Sequence, residues 1–444
     1  MFHLGWFLGN GFGIQAWSQT NGDGPWTGTN ITDWTKPDLY QDLARGLDRA
    51  GFDYILIEDT AMVEDSYQGS ADTSLRRGFM APKNDPMPLV PLMTAASKNI
   101  GIIPTFSTIQ YPPYMAARLG VTLDHLTEGR VGMNVVTSVT DRVAQNYGYE
   151  EHLAHDERYE MAMEWVDVVQ QLQGSWLPGA VVADADGGVY ADHTKVKPID
   201  HVGKFFRSRG PLNTIPGPQG KVPICSAGSS EAGRTLAAMY DDTMIALAKT
   251  PESAKALRED MRARVAANGR NPDDFKIFFI VSPTIEDTDE HALEAAAKYK
   301  AYMASDKGVE YNLWNMSYTS GGRIDFGAID PDTKVEDIDL SKQNGEYTSI
   351  EKLFENQEGR TLREVVADSF QINDLGFVGS PDTVAAKMGE FMDGVGGDGF
   401  LMYLPTTRHN IAKVADGLGP ALRRRGLIRE EYTGGSLRDN LLQF

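Results

Sequence analysis

The chain has 444 residues, 41% of them hydrophobic, enough to bury a large core and to set disorder aside. Against 42 basic residues stand 62 acidic ones, a formal net charge of -20 that disfavours nucleic acid and anionic lipid as partners and points to a small-molecule substrate. A lone cysteine, Cys225, excludes an internal disulfide framework and any multi-cysteine zinc or iron–sulfur centre.

The opening MFHLGWFLGN carries no basic leader before a long apolar stretch, and no run of about eighteen apolar residues occurs anywhere, so a cytoplasmic protein without a membrane span is expected. In chain order, eight short apolar runs read as strands: HLGWFL from His3, YILIED from Tyr54, GIIPTFST from Gly101, VGMNVVT from Val131, VPICSAG from Val222, TMIALA from Thr243, KIFFIVSPTI from Lys276 and GFLMYLP from Gly399. Most are apolar at successive positions, as strands covered by helices outside and packed side chains inside must be. Between them, helical spacing with Pro, Ser or Asp before and Gly or Asn after predicts helices over 39–51, 88–98, 113–126, 156–173, 230–240, 251–268 and 381–395. The fold class expected is α/β, a closed (β/α)8 TIM barrel forming one domain over 1–444. An open doubly wound sheet is the alternative, although no GxGxxG follows the first strand. Two stretches interrupt the rhythm, 176–218 and 304–377, and read as insertions at the C-terminal ends of strands, able to shape a pocket or a lid.

Catalytic groups of such a barrel sit just past the strand ends. There the sequence places Glu58 and Asp59; Thr105, Ser107 and Thr108; Asn134, Thr137 and Ser138; and Gly228, Ser229 and Ser230. Any one could be a capping or turn residue; their recurrence at one rim favours a site. SAGSSEAGR, starting at Ser226, puts small residues and two hydroxyls where a strand hands over to a helix N-terminus, a setting that suits a phosphate. HDERY, from His155, sets His155 and Tyr159 four apart on one helix face as a second set of phosphate donors or as a structural pair. No histidine pattern has metal-ligand spacing and no G-x-S-x-G is present, so no metal and no hydrolase nucleophile are expected, and the chemistry falls to a borrowed cofactor.

Taken together, ADTSL, NDP, YPPYMAARLGVTLDHLTEGRVGMNVVTS, HLAHDERYEMA, QGKVPICSAGSSEAGR and the closing EYTGGSLRDNLL resemble the bacterial-luciferase-like flavin monooxygenases, in particular those acting on nitrilotriacetate, dibenzothiophene sulfone, long-chain alkanes and dimethyl sulfide. The resemblance runs in order over nearly the whole chain. It implies a two-component enzyme in which a separate NAD(P)H-dependent flavin reductase delivers reduced FMN, and O2 is activated to attack a small sulfur-, nitrogen- or halogen-bearing or alkane-like molecule. A homodimer or homotetramer is implied as well. Carried over by position, Asp59, Thr105, Asn134, Thr137 and Ser138 fall beside the isoalloxazine, and His155, Tyr159, Ser229 and Ser230 around the phosphate. Activated oxygen must be kept from water, and Trp6, Phe7, Phe106 and Met133 are the residues expected to wall it in. Met133 stands where relatives usually carry Trp, and Glu58 where a small or apolar residue is common. Tyr318 falls at about the place of a histidine in several relatives, so it is either a hydrogen-bonding catalytic residue, together with Asn134, or a loop residue. Rival expectations are a flavin or deazaflavin hydride-transfer enzyme on the same barrel, and a catalytically silent flavin-binding protein.

Overall fold

The computed structural model describes residues 1–9, 33–342, 344, 347–369 and 375–444. Its centre is a closed barrel of eight parallel strands in sequential order: β1 (His3–Leu8), β2 (Tyr54–Ile57), β3 (Gly101–Ser107), β4 (Met133–Val136), β5 (Ile224–Ala227), β6 (Thr243–Ala246), β7 (Lys276–Val281) and β8 (Gly399–Met402), with β8 pairing back on β1. Each lies within one of the eight apolar runs, so the chain is a (β/α)8 TIM barrel.

Helices cover the outside. Pro37–Ala50 ends on Gly51, whose φ of 90° is the left-handed stop that glycine supplies, and Pro381–Val395 starts on the Ser380 cap, whose hydroxyl accepts from Thr383 N–H. Ser230 and Thr250 cap Glu231–Tyr240 and Pro251–Ala267 in the same way. Alternate strand residues pack outward on these helices, as Leu4, Trp6, Ile55, Ile57, Met133 and Val135 do, or inward, as Tyr54, Leu56, Ile103, Cys225, Ile245, Phe278 and Leu401 do.

The last residues close the bottom of the barrel. Leu437 and Leu441 join the interior cluster, and a Cβ on Gly101 would lie 2.6 Å from Leu437 Cδ1, so the plug depends on that glycine. Beside it, buried Asp53 accepts from His3 Nδ1 (2.9 Å), Leu4 N–H (2.9 Å) and the Arg429 guanidinium.

The two interrupting stretches differ from what their polarity suggests. Residues 176–218 follow the C-terminus of helix His155–Gln173 rather than a strand end, and contain two small antiparallel pairs, Val181–Asp184 with Val189–Ala191 and His201–Val202 with Arg207–Ser208. Glu164 on that helix fastens them by accepting Phe205 N–H (3.0 Å), Phe206 N–H (2.8 Å) and a bond from His201 Nε2 (3.1 Å). Within 304–377 the described part holds three helices, Asp306–Thr319, Tyr347–Phe354 and Leu362–Ser369, and a further helix, Asp289–Met303, precedes it. Leu313, Trp314, Met316, Phe326 and Leu362 build a second core there with Tyr67, Phe79 and Met80 from the segment after β2. No described helix is long and apolar enough to cross a membrane.

Candidate active site at the strand carboxyl ends

Side-chain phase defines the mouth. Continuing the inward positions to the strand tips gives Phe7, Glu58, Thr105 and Ser107, Asn134 and Val136, Ala227, Leu247, Ile280 and Tyr403. The arc from β2 to β4 is polar and the arc from β5 round to β1 apolar, with Phe7 and Tyr403 meeting edge to face at 5.3 Å. This corrects the expected wall. Trp6, Phe106 and Met133 are fully buried between sheet and helices: Trp6 beside Phe52 (6.5 Å), Phe106 against Tyr111 (5.2 Å), and Met133 with its sulfur 4.0 Å from Gln173 Nε2. Adjacent strand residues point to opposite faces, so an inward Thr105 sends Phe106 outward and an inward Asn134 does the same to Met133. Of the four expected residues only Phe7 faces the interior; Leu247, Ile280 and Tyr403 complete the arc and were not picked out from sequence.

The polar arc is tightly bonded. Thr105 Oγ1 donates to Ile57 O (2.8 Å) and accepts from Asn134 Nδ2 (2.8 Å); the other amide atom, Oδ1, is buried and has no hydrogen-bond partner among the described residues. Ser138 adopts φ 59° and bonds Ser107 Oγ at 2.7 Å, fixing the turn that ends β4. Behind that turn lies His152. Leu153 N–H donates to its Nδ1 (3.1 Å), so the proton sits on Nε2 and is donated to Thr137 O (2.9 Å). Burial first, then the Arg158 charge, depress its pKa to about 4, which keeps it neutral.

The sets expected to hold a phosphate converge. A Cβ on Gly228 would stand 2.8 Å from Tyr159 Oη, which puts that hydroxyl over the turn leading to Ser229 and Ser230, and the His155 and Tyr159 rings lie 5.1 Å apart on their shared helix face. Ser230 Oγ itself accepts Gly233 N–H (3.1 Å), so it serves as the helix cap as well. Arg158, in the same first helical turn, is a buried cation that spacing alone had not marked.

Tyr318 lies on helix Asp306–Thr319, not in a loop, half-buried and stacked on Trp314 at 6.2 Å. It packs against Met62, Ile109 and Met161 above the rim, as Phe205 and Phe206 do. Just beyond, Arg323 pairs with Asp141 through Nε (3.0 Å) and Nη2 (2.9 Å), and Asp141 also accepts His152 N–H (2.8 Å), which ties this helical cover to the turn after β4.

Burial raises the Asp59 carboxyl to about 7, with Lys83 opposing and Glu58 and Asp85 reinforcing. A folded pKa above the unfolded value of about 3.9 means that the contribution to stability is fully present below that value and is lost as pH rises through about 7. Asp59→Asn, which cannot ionise, is therefore expected to match the parent near pH 4 and to exceed it by about 1–3 kcal/mol above pH 7 in urea unfolding. A difference independent of pH would show that Asp59 titrates normally.

Among the described residues no cluster of three or more His, Cys, Asp or Glu side chains is arranged to hold a metal ion, and Cys225 is buried in the barrel interior. The family profile described as luciferase-like monooxygenase matches residues 11–398. A dimethyl-sulfide monooxygenase from Hyphomicrobium sulfonivorans is 36% identical over 414 residues, covering 91% of this chain and 83% of that protein. Among solved structures, a long-chain alkane monooxygenase superposes with a TM-score of 0.83 at 30% identity, covering 99% of this chain and 95% of the other. A riboflavin lyase solved with modified FMN and riboflavin gives 0.85 at 27% identity, over 100% and 96%.

Proposed function

The chain belongs to the luciferase-like monooxygenase family, and from that premise we propose that it is a two-component monooxygenase that takes reduced FMN from a separate NAD(P)H-dependent reductase and uses O2 to oxygenate a small organic substrate. The observation that carries this reading is the convergence of Tyr159 on Gly228 at one end of the barrel, which brings the helix face of His155 and Tyr159 to the turn leading to Ser229 and Ser230, segments distant in sequence. Two features of the residues fit a flavin. The buried Asn134 Oδ1, which has no hydrogen-bond partner among the described residues, is an acceptor suited to a ring N–H, and Gly228, lacking a side chain, lets Tyr159 Oη close on the turn more tightly than a Cβ would allow. The neighbouring structure with modified FMN supports the same cofactor.

In this reading His155, Tyr159, Ser229 and Ser230 hold the phosphate, with the N-terminus of helix Glu231–Tyr240 adding its dipole. Asp59, Thr105, Asn134, Thr137 and Ser138 hold the ring system. Bound reduced flavin supplies the electrons with which one oxygen atom is passed to substrate and the other leaves as water. The protein's part is then to exclude water and to place protons. Phe7, Leu247, Ile280 and Tyr403 furnish an apolar wall, and the helix bearing Tyr318 roofs the site with a hydroxyl able to donate a hydrogen bond. The assembly is a homodimer or homotetramer.

The test is an anaerobic titration with reduced FMN, followed by measurement of oxygen uptake against oxygenated product. Saturable binding with product formed in step with oxygen supports the reading; hydride transfer indifferent to oxygen overturns it. Ser230→Ala should weaken reduced FMN by about 1–3 kcal/mol, the range for a charge-assisted hydrogen bond. Unchanged affinity would confine Ser230 to its capping role.

A further inference from the structure

Glu58 follows β2 in phase with Tyr54 and Leu56, which fill the barrel interior, so its carboxylate stands on the inner edge of the mouth between β1 and β3. Lys83 reaches it from the segment after β2 and donates to Oε2 at 2.8 Å, while Thr60 Oγ1 donates to Oε1 at 2.6 Å. The pair is largely withdrawn from water, the Lys83 side chain being 7% exposed and that of Glu58 18%.

An ion pair in that position is a poor device for stability, because desolvation cancels much of the attraction and an apolar pair of equal volume commonly does as well or better. A fully apolar ligand such as a long alkane would also gain nothing from it. Hydrogen-bond bookkeeping indicates which ligand would. An ammonium has three donors, and the described residues give Lys83 one acceptor, on Glu58. Each Glu58 oxygen already accepts one bond, from Thr60 Oγ1 or from Lys83, and the other two N–H bonds of the nearly buried ammonium meet no acceptor among the described residues. A nearly buried ammonium with two donors left over is completed by a group made only of acceptors.

We propose that Lys83, held in place by Glu58, is a specificity-determining residue, and that the substrate carries an oxyanion, a carboxylate or sulfonate, near the atom that is oxygenated. This rests on the flavin reading above, since it sets the substrate beside the same rim.

The experiment uses the protein loaded with oxidised FMN and follows the perturbation of the flavin spectrum as thioether probes are added: methylthioacetate, its uncharged methyl ester, and 2-(methylthio)ethanesulfonate. The parent should bind at least one anion ten or more times tighter than the ester, and which anion it prefers separates carboxylate from sulfonate. Lys83→Met should bring acid and ester within twofold of each other, Lys83→Arg should keep part of the preference, and Glu58→Gln, which leaves the ammonium without its anion, should tighten the anion several-fold. Equal binding of anions and ester by the parent, or a preference that survives in Lys83→Met, overturns the assignment. FMN titration of every variant comes first: a parent that takes up FMN without preferring anions defeats only the oxyanion proposal, whereas one that takes up no FMN defeats the cofactor reading.

Discussion

Gly228→Ala is expected to weaken reduced FMN binding roughly 10- to 100-fold, about 1.4 to 2.8 kcal/mol, although alanine suits the backbone there and adds a single methyl group. That methyl would stand 2.8 Å from Tyr159 Oη and 3.1 Å from Gly233 Cα. Gly233 cannot yield, because it is packed back on Gly228, where a Cβ of its own would meet three backbone atoms at 3.0 Å. Tyr159 must therefore move, and its hydroxyl leaves the cradle together with the His155 ring packed beside it.

The same geometry predicts that the two sites are not additive. In a Tyr159→Phe background the nearest clashing atom is absent, so Gly228→Ala should there cost less than half of what it costs alone. Anaerobic fluorescence titration of the four proteins checks this. Full additivity would mean that Tyr159 and Gly228 act on the flavin separately and that the cradle is not one object.

Legibility from sequence followed how directly each feature writes itself into a local pattern. The strands were plain because buried parallel strands are continuous apolar runs, and Pro381–Val395 because its serine and proline start and glycine stop coincide with the helix. Helix Asp289–Met303 was missed although EAAAKYKA is strongly helix-forming; it buries only Ala292 and Met303, so there is no apolar stripe to see. Helix Asp306–Thr319 failed for the opposite reason, burying Gly308, Val309, Asn312, Leu313, Trp314, Met316 and Ser317 nearly all round. At the site the rim residues were readable, but not which neighbours share their face. A strand apolar on both sides does not declare its phase, yet Thr105 and Asn134, once assigned inward, already required Phe106 and Met133 to point away. Lys83 lay beyond sequence reasoning altogether: it sits among prolines, and its partner is 25 positions earlier.

At the closed end of the barrel, Arg429→Met is expected to lower stability by about 3–5 kcal/mol, the range for removing one member of a buried ion pair, while leaving FMN affinity of the folded molecules unchanged. Asp53 and Arg429 are both 1% exposed in their side chains, and Arg429 also donates to Asn440 O (3.0 Å) and Gln443 Oε1 (2.8 Å), clamping the C-terminal plug. Burial alone would raise Asp53, but the charges of His3 and Arg429 overcome it and hold the carboxyl below its usual range. A depressed folded pKa gives stability that is present above the unfolded value and lost as pH falls through the folded one. The variant should therefore fall furthest behind the parent at neutral pH, and the gap should narrow on acidification as Asp53 takes a proton in both. Asp53→Asn combined with Arg429→Met should recover part of the loss, since no uncompensated charge then remains inside. Chemical denaturation across pH, with FMN titration well below the unfolding transition, separates the two ends of the molecule. If Arg429→Met weakened FMN in proportion to its loss of stability, the bottom of the barrel would have to be counted as part of the site.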